Sequence, residues 1–474
     1  MKHLRGGAAA GLMFCLALTL LANGCAVDQS REVQTYRSVL DGGKPAHVAS
    51  YQPEAPLSLK TAFELANAHN EQLAMSGETY LQALIDKERA FAAFLPTIRF
   101  VPTFMFQAKT ELAPGNPLIS DFEPTHANDF PVEGSLNVSP FHDAATLEAA
   151  SLSAQMQRYL LLDKQAILML EVASTYFQIL RSESQINVLG HTIEVDRQRL
   201  SDILVKEKAG VARPVDVSLI KAQLARTRSE MIAAKEDERN GRAMLALLIG
   251  VPKINGPLVG GLTIPEADYT VEPLLKMAEE HRQDLIAARE RVKVATAALK
   301  AAWARYFPSV SFNFMYYLSR ESFPNDVDWT SLIQVNVPIF TAGLIHEDVR
   351  AAYSRLRQAR LAETYTSRQV MKELLVALEN FRGDGQQIDE LTIQVKAAQE
   401  GMLQADAAFE AGVGTNLERL IAQDGLLEAE LNLATVQFKR NVNYLRLLRV
   451  TGSLNPDLSI ELPLEEQNFH ETKK

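Results

Sequence analysis

Cysteine is almost missing from this 474-residue chain: there are two, Cys15 and Cys25, one inside a leader-like opening and one at its end. A mature chain cut before Cys25 would therefore hold no disulfide, no thiolate metal site and no cysteine nucleophile. An excess of basic residues is missing too. The formal charge of −10 argues against nucleic acid as a partner, because neutralising phosphates needs a surplus of Lys and Arg. The nine histidines are scattered, none paired with an acid at metal-ligand spacing, and no Gly-rich phosphate loop or nucleophile elbow occurs. These absences point away from an enzyme, a metal site or a cofactor. What is present, 22% charged and 47% hydrophobic residues, is the composition of a folded protein.

The opening has an apolar run at residues 8–22, preceded by Lys2 and Arg5 and too short to span a bilayer comfortably. It ends in Leu21-Ala22-Asn23-Gly24-Cys25. That ending resembles the bacterial lipoprotein signal, in which cleavage leaves an N-terminal cysteine that receives lipid. The leucine usual three places before the cysteine is Ala22 here. The aspartate that retains such proteins at the inner membrane is absent from the next places, Ala26 and Val27. Residues 1–24 are expected to be a lipoprotein signal peptide and Cys25 the lipidated residue, with a plain secretory leader as the alternative.

Apolar residues recur every seven places at Val172, Ile179, Ile186, Ile193 and Leu200, and the stretch closes at Gly210. Adding 202 to each number gives Leu374, Phe381, Ile388, Val395, Met402 and Gly412, so the seam is written twice. A strict seven-residue repeat drifts round a helix of 3.6 residues per turn and is buried only by neighbours that wind left-handedly alongside. The duplication extends upstream, where residues 65–96 align without a gap to residues 277–308 and keep His69/His281, Leu73/Leu285, Glu78/Glu290 and Pro96/Pro308. Two halves share one plan.

Each half leaves its first helix through an aromatic-proline exit, Phe94-Leu95-Pro96 or Tyr306-Phe307-Pro308. Proline stops the helix and admits an extended chain. Beyond it Ile98, Phe100, Phe104 and Phe106 alternate with Arg99, Val101 and Thr103, and in the copy Val310, Phe312, Phe314 and Tyr316 alternate with Ser311, Asn313 and Met315. After a polar loop a second strand returns in each half, through Val132, Gly134, Leu136 and Val138 or through Ile333, Val335 and Val337. These are strands of period two with one apolar face. Four strands of about ten residues have the length to cross a bilayer at a tilt, yet four cannot close. Open edges in hydrocarbon leave backbone groups unpaired, so other copies must complete the sheet.

The expected order is an extended lipidated arm at 25–57 and a first unit at 58–250. The unit holds a helix, strands near 97–107 and 130–140, a long helix near 143–208 and a helix near 215–249. A linker at 251–270 leads to a second unit at 271–452 with strands near 309–319 and 329–338, a long helix near 344–411 and a helix near 416–451. A tail follows at 453–474. The long helix spans on the order of 100 Å at 1.5 Å per residue. The two shorter helices of each half, laid end to end, match that length, which places the linker and both termini at mid-height.

The duplicated order, the aromatic-proline exits, the strand ends Ser139-Pro140-Phe141 and Val337-Pro338-Ile339-Phe340, and the turn Gly412-Val413-Gly414-Thr415-Asn416-Leu417-Glu418 resemble the outer-membrane efflux proteins of the TolC type, in the lipoprotein branch. The resemblance implies an α+β membrane protein that forms a homotrimer. Its twelve-stranded β-barrel, four strands per chain, would continue into a long α-helical coiled-coil barrel in the periplasm. It implies a passive exit duct, set in outer-membrane lipid and serving an inner-membrane transporter and a periplasmic adaptor in a tripartite efflux system. It places adaptor contact at the helical turns, Gly210, Val211 and Ala212 with Gly412, Val413, Gly414 and Thr415, and a closing aperture at Asp216 and Glu418. The family's second acid, three residues on, is replaced by Leu219 and Ile421. Asp216 and Glu418 are equally explained as acids favoured by a helix N-terminus. Two other functions fit the pattern: the duct of a type I protein secretion system, and a lipid-anchored coiled-coil scaffold that conducts nothing.

Overall fold

The computed structural model describes residues 27–43, 51–106, 126–260, 262–265, 269–322, 324 and 326–455. Cys25, the expected leader at 1–24 and most of the expected tail lie outside them.

Each half repeats one helical set. In the first, α2 (Leu59–His69) and α3 (Glu71–Ala92) precede the strands, α4 (Pro140–Lys208) follows them and α5 (Pro214–Leu248) runs back. In the second the same roles fall to α6 (Val271–His281), α7 (Gln283–Ala304), α8 (Leu344–Glu410) and α9 (Asn416–Val450). The short helices measure 11, 22 and 35 residues in both halves and together come within one residue of the 69 of α4 and the 67 of α8. They do meet end to end. Gly250, just past α5, backs directly onto His69, and Gly452, past α9, backs onto His281, at distances where a Cβ would collide. Both glycines have positive φ, +68° and +77°, so neither bulk nor handedness admits another residue without strain.

The seven-residue seam is buried at six of its ten positions and half-buried at Ile186, Leu200, Ile388 and Val395. Val172, Ile179, Leu374 and Phe381 are buried at mid-height, with Ile193 and Met402 buried further along. The largest core gathers there, where the middles of α4 and α8 meet the ends of α5 and α9 and the linker. The Tyr176 hydroxyl lies 2.9 Å from the carbonyl oxygens of both Leu57 and Val259, where β1 (Leu57–Ser58) pairs in parallel with β6 (Leu258–Val259).

Three details depart from expectation. Residues 25–57 are not simply an extended arm, because α1 (Gln29–Leu40) forms within them. Asp28 caps it by accepting the amides of Ser30 and Arg31 at 3.1 and 3.3 Å, and Tyr36 and Leu40, four residues apart, bury one stripe. The helix before the strands is broken in both halves, at Asn70 and Arg282, each with ψ near 120°. The Asn70 side chain accepts the Leu73 amide and donates to Leu248 O, so the break is where the short track is fastened to its continuation. The first strand is also split, into β2 (Thr97–Phe100) and β3 (Thr103–Phe106), because Pro102 has no amide for the ladder.

The sheet runs β2, β5 (Pro131–Val138), β7 (Ser309–Tyr317), β8 (Trp329–Asn336), antiparallel throughout. β3 pairs with β4 (His126–Asp129) as a separate extension. The register sorts the side chains cleanly. Ile98, Gly134, Phe314 and Ser331 form one row of cross-strand neighbours, and Phe100, Val132, Tyr316 and Trp329 form another on the same face. Arg99, Glu133, Met315 and Thr330 make a row on the opposite face, and Asn137, Ser311 and Gln334 another. One face is apolar and exposed, with Ile98 at 74% and Ile333 at 67%; the other is amide- and hydroxyl-rich. The sheet ends on β2 and β8 and does not close on itself.

Candidate functional site

At the end far from the sheet, each half reverses at a glycine. Gly210 follows α4 with φ +74° and Gly412 follows α8 with φ +76°, a left-handed conformation that a Cβ strains. The Val211 amide then donates to Lys206 O at 2.9 Å and the Val413 amide to Ala408 O at 3.0 Å, closing both helix ends alike. Val211 and Val413 are left 78% and 84% exposed at the tips. Ala212 instead packs down onto Ile203, Val217, Ile220 and Leu420, the small core that binds both hairpins. Gly414 is tightly held, for an added Cβ would sit 3.0 Å from that of Ala408.

The two acids beyond the turns are helix caps. Asp216 Oδ2 accepts the Arg213 amide at 3.2 Å, while the Arg213 guanidinium donates to both carboxylate oxygens at 3.1 and 3.0 Å. That guanidinium holds the Asp216 carboxyl below its ordinary range. Glu418 accepts the Thr415 amide at 2.7 Å, and the Thr415 hydroxyl accepts the Glu418 amide at 3.2 Å, a reciprocal capping box. The Thr415 amide likewise lowers the Glu418 carboxyl. Asp216 is buried and Glu418 exposed, so equivalent repeat positions have different surroundings.

A polar belt that the sequence did not announce lies two to three helical turns further in. Arg199 of α4 places Nη2 at 2.9 and 3.0 Å from the two carboxylate oxygens of Asp406 on α8, and its Nη1 bonds Gln423 of α9. Gln423 in turn donates to Asp196 at 2.7 Å. Arg419, nearly buried, approaches the same Asp406 at 3.6 Å and stacks over Phe409 at 4.5 Å, with Lys206 over that ring at 4.8 Å. Burial, followed by the neighbouring Arg199, pushes the Arg419 guanidinium below its usual value. Burial pushes the fully enclosed Asp196 carboxyl up. Gln223 of α5 reaches Asp424 of α9 at 2.5 Å, completing a link across four helices and both halves. The repeat itself held the signal: Asp406 and Arg419 stand where the first half has Leu204 and Val217.

Among the described residues no group of three or more His, Cys, Asp or Glu is placed to hold a metal ion. No described helix is long and apolar enough to cross a membrane.

An open sheet with one apolar and one polar face is carried on duplicated helical hairpins, the class of architecture with which known proteins can be compared. The sequence model of the family described as "Outer membrane efflux protein" matches residues 274–453. The cation efflux system protein CusC of Escherichia coli is 22% identical over 316 residues, 63% of this chain and 68% of CusC. The outer membrane protein TolC of Escherichia coli is 20% identical over 437 residues, 84% of this chain and 85% of TolC. The solved structure of the outer membrane protein VceC from Vibrio cholerae superposes with a TM-score of 0.72 at 18% identity, over 83% of this chain and 96% of VceC. In sequence and in fold the chain is thus similar to outer-membrane efflux proteins of the TolC type.

Proposed function

We propose that the chain is the outer-membrane channel of a tripartite efflux system, a passive exit duct for small molecules or ions delivered by an inner-membrane pump through a periplasmic adaptor. The observation that carries this reading is the two-faced sheet. Its apolar side suits hydrocarbon, its amide-lined side suits water, and its two open edges demand further copies. Three chains give the twelve strands of the family. The tips, with Val211 and Val413 exposed, are the adaptor-facing end, and the turns from Gly210 to Ala212 and from Gly412 to Thr415 are the contact surface.

On this reading Asp216 and Glu418 shape the mouth by fixing where α5 and α9 begin, and the belt around Arg199 and Asp406 keeps it shut at rest. Cys25 is proposed as the lipid anchor. Leu40 O bonds Gln165, Arg37 bonds Asn67 O and Tyr36 packs on Gly77, so α1 climbs toward the sheet end and directs its N-terminus to the membrane side of the core.

Reconstitution into planar bilayers tests the duct. Discrete conductance steps are expected, larger in Asp406→Asn than in the wild type. A protein that passes no ions in either form is a scaffold, and the reading fails. Deleting the gene and scoring drug and metal sensitivity beside the secreted proteins separates small-molecule efflux from protein secretion.

A further inference from the structure

A cavity of about 650 Å³ opens beside the junction of helices and sheet, between the start of α4, the end of α7 and Tyr353 of α8. Ala144, Ala145 and Ala304 line it, and Phe141, Trp303 and Phe307 wall it. The rings of Phe141 and Phe307 lie 4.7 Å apart, tilted by 41°, yet both stay more than half exposed. An open aromatic trough of this kind is costly in water and marks a surface that meets something apolar.

Its face can be assigned. Asp143 lies in a separate polar hollow with Asn137, Ser311 and Gln334, on the amide-rich side of the sheet. The α4 residues of the trough, from Pro140 to Glu148, point on the order of 130° away from Asp143 at 3.6 residues per turn. The trough is therefore continuous with the apolar side of the sheet. At its far end the Lys300 ammonium lies 2.9 and 3.0 Å from the two carboxylate oxygens of Glu148, both side chains about half exposed. From Lys300 to Ala304, the last residue of the helix, the rise is about 6 Å.

We propose that this trough binds one phospholipid of the leaflet on the helical side of the barrel, with an ethanolamine headgroup. The proposal rests on the membrane reading of the sheet. The phosphate takes the Lys300 N–H not used by Glu148, the headgroup ammonium donates to Glu148, and an acyl chain lies over the alanines toward the apolar side of the sheet. A paired cation and anion match a headgroup that carries both charges. Choline has no N–H to offer Glu148, and a glycerol headgroup brings no cation. Trp303 then sits as interfacial tryptophans do, with its ring against lipid.

The chain's two tryptophans make the test direct, because Trp303 lines the trough and Trp329 lies on the apolar sheet face beside Tyr316. The full-length protein is reconstituted in phosphatidylcholine vesicles containing a small fraction of dibrominated phosphatidylethanolamine or dibrominated phosphatidylcholine. Trp329→Phe reports Trp303 alone, and Trp303→Phe reports Trp329 alone. Brominated ethanolamine lipid is expected to quench Trp303 roughly fivefold more effectively than the choline lipid at equal fraction. Lys300→Gln and Glu148→Gln should each abolish that preference, while Trp329 is quenched alike by both. Equal quenching of Trp303 by the two lipids, or a preference that survives both substitutions, overturns the lipid site and leaves the barrel standing. A Trp329 untouched by either lipid overturns the membrane reading itself.

Discussion

Arg199 and Asp406, 207 positions apart in the chain, join the two halves near the tips through contacts of 2.9 and 3.0 Å from one guanidinium nitrogen to both carboxylate oxygens. The arginine is nearly buried while the acid keeps about a third of its surface, so removing one partner costs more than at the surface and less than in a fully enclosed pair. Asp406→Asn should cost roughly 1–2 kcal/mol, because it removes the one carboxylate that both Arg199 and Arg419 approach. Bilayer recordings should show a higher open probability, and thermal melting of the solubilised protein a lower midpoint. Unchanged recordings would confine the pair to a structural role.

Asp216 and Asp196 should respond to acid in opposite ways. A carboxyl held below its ordinary 3.8 contributes stability that is complete above that value and disappears as pH falls through the depressed one. Asp216→Asn should therefore destabilise at pH 7 by about 1 kcal/mol, the worth of a helix cap, and less in strong acid. Asp196, whose carboxyl burial raises, contributes most below 3.8 and loses that contribution as pH rises through its elevated value. Asp196→Asn should raise the neutral-pH melting temperature and change little in acid. A pH series of melting curves for both variants checks the two signs at once.

Gly210→Ala and Gly412→Ala place a Cβ on left-handed backbone in open space, so the penalty is conformational rather than steric. Each should cost about 1–2 kcal/mol locally, with asparagine milder than alanine. Hydrogen exchange at the turn amides is the suitable readout, since such a loss is felt first at the tip. Equal exchange in wild type and variants would show that the turn does not depend on handedness.

Phe312 and Asn313 are neighbours in β7 and point to opposite faces of the sheet. Phe312→Arg should destabilise by about 2–4 kcal/mol if it faces mid-bilayer, whereas Asn313→Arg should be tolerated. Folding into lipid vesicles, followed by gel mobility before and after heating, separates the two. If both behave alike, the sheet has no lipid side.

The sequence alone determined the elements whose signal is periodic and local. The seam from Val172 to Leu200, its copy from Leu374 to Met402, the alternation of Val310, Phe312 and Phe314, and the glycine turns each announce themselves within a few residues, because helix and strand expose a fixed rhythm to whatever packs on them. It also left open whether Asp216 and Glu418 are gates or caps, since both uses want an acid at the same place. Only the tertiary structure decided what depends on partners far along the chain. Helix α1 exists because Tyr36 and Leu40 have α3 and α4 to bury against, and the breaks at Asn70 and Arg282 exist because each short helix must be fastened to one well over a hundred residues away. The Arg199 and Asp406 link and the trough around Trp303 have the same cause: each is assembled from segments that no local rhythm relates, and packing alone brings them together.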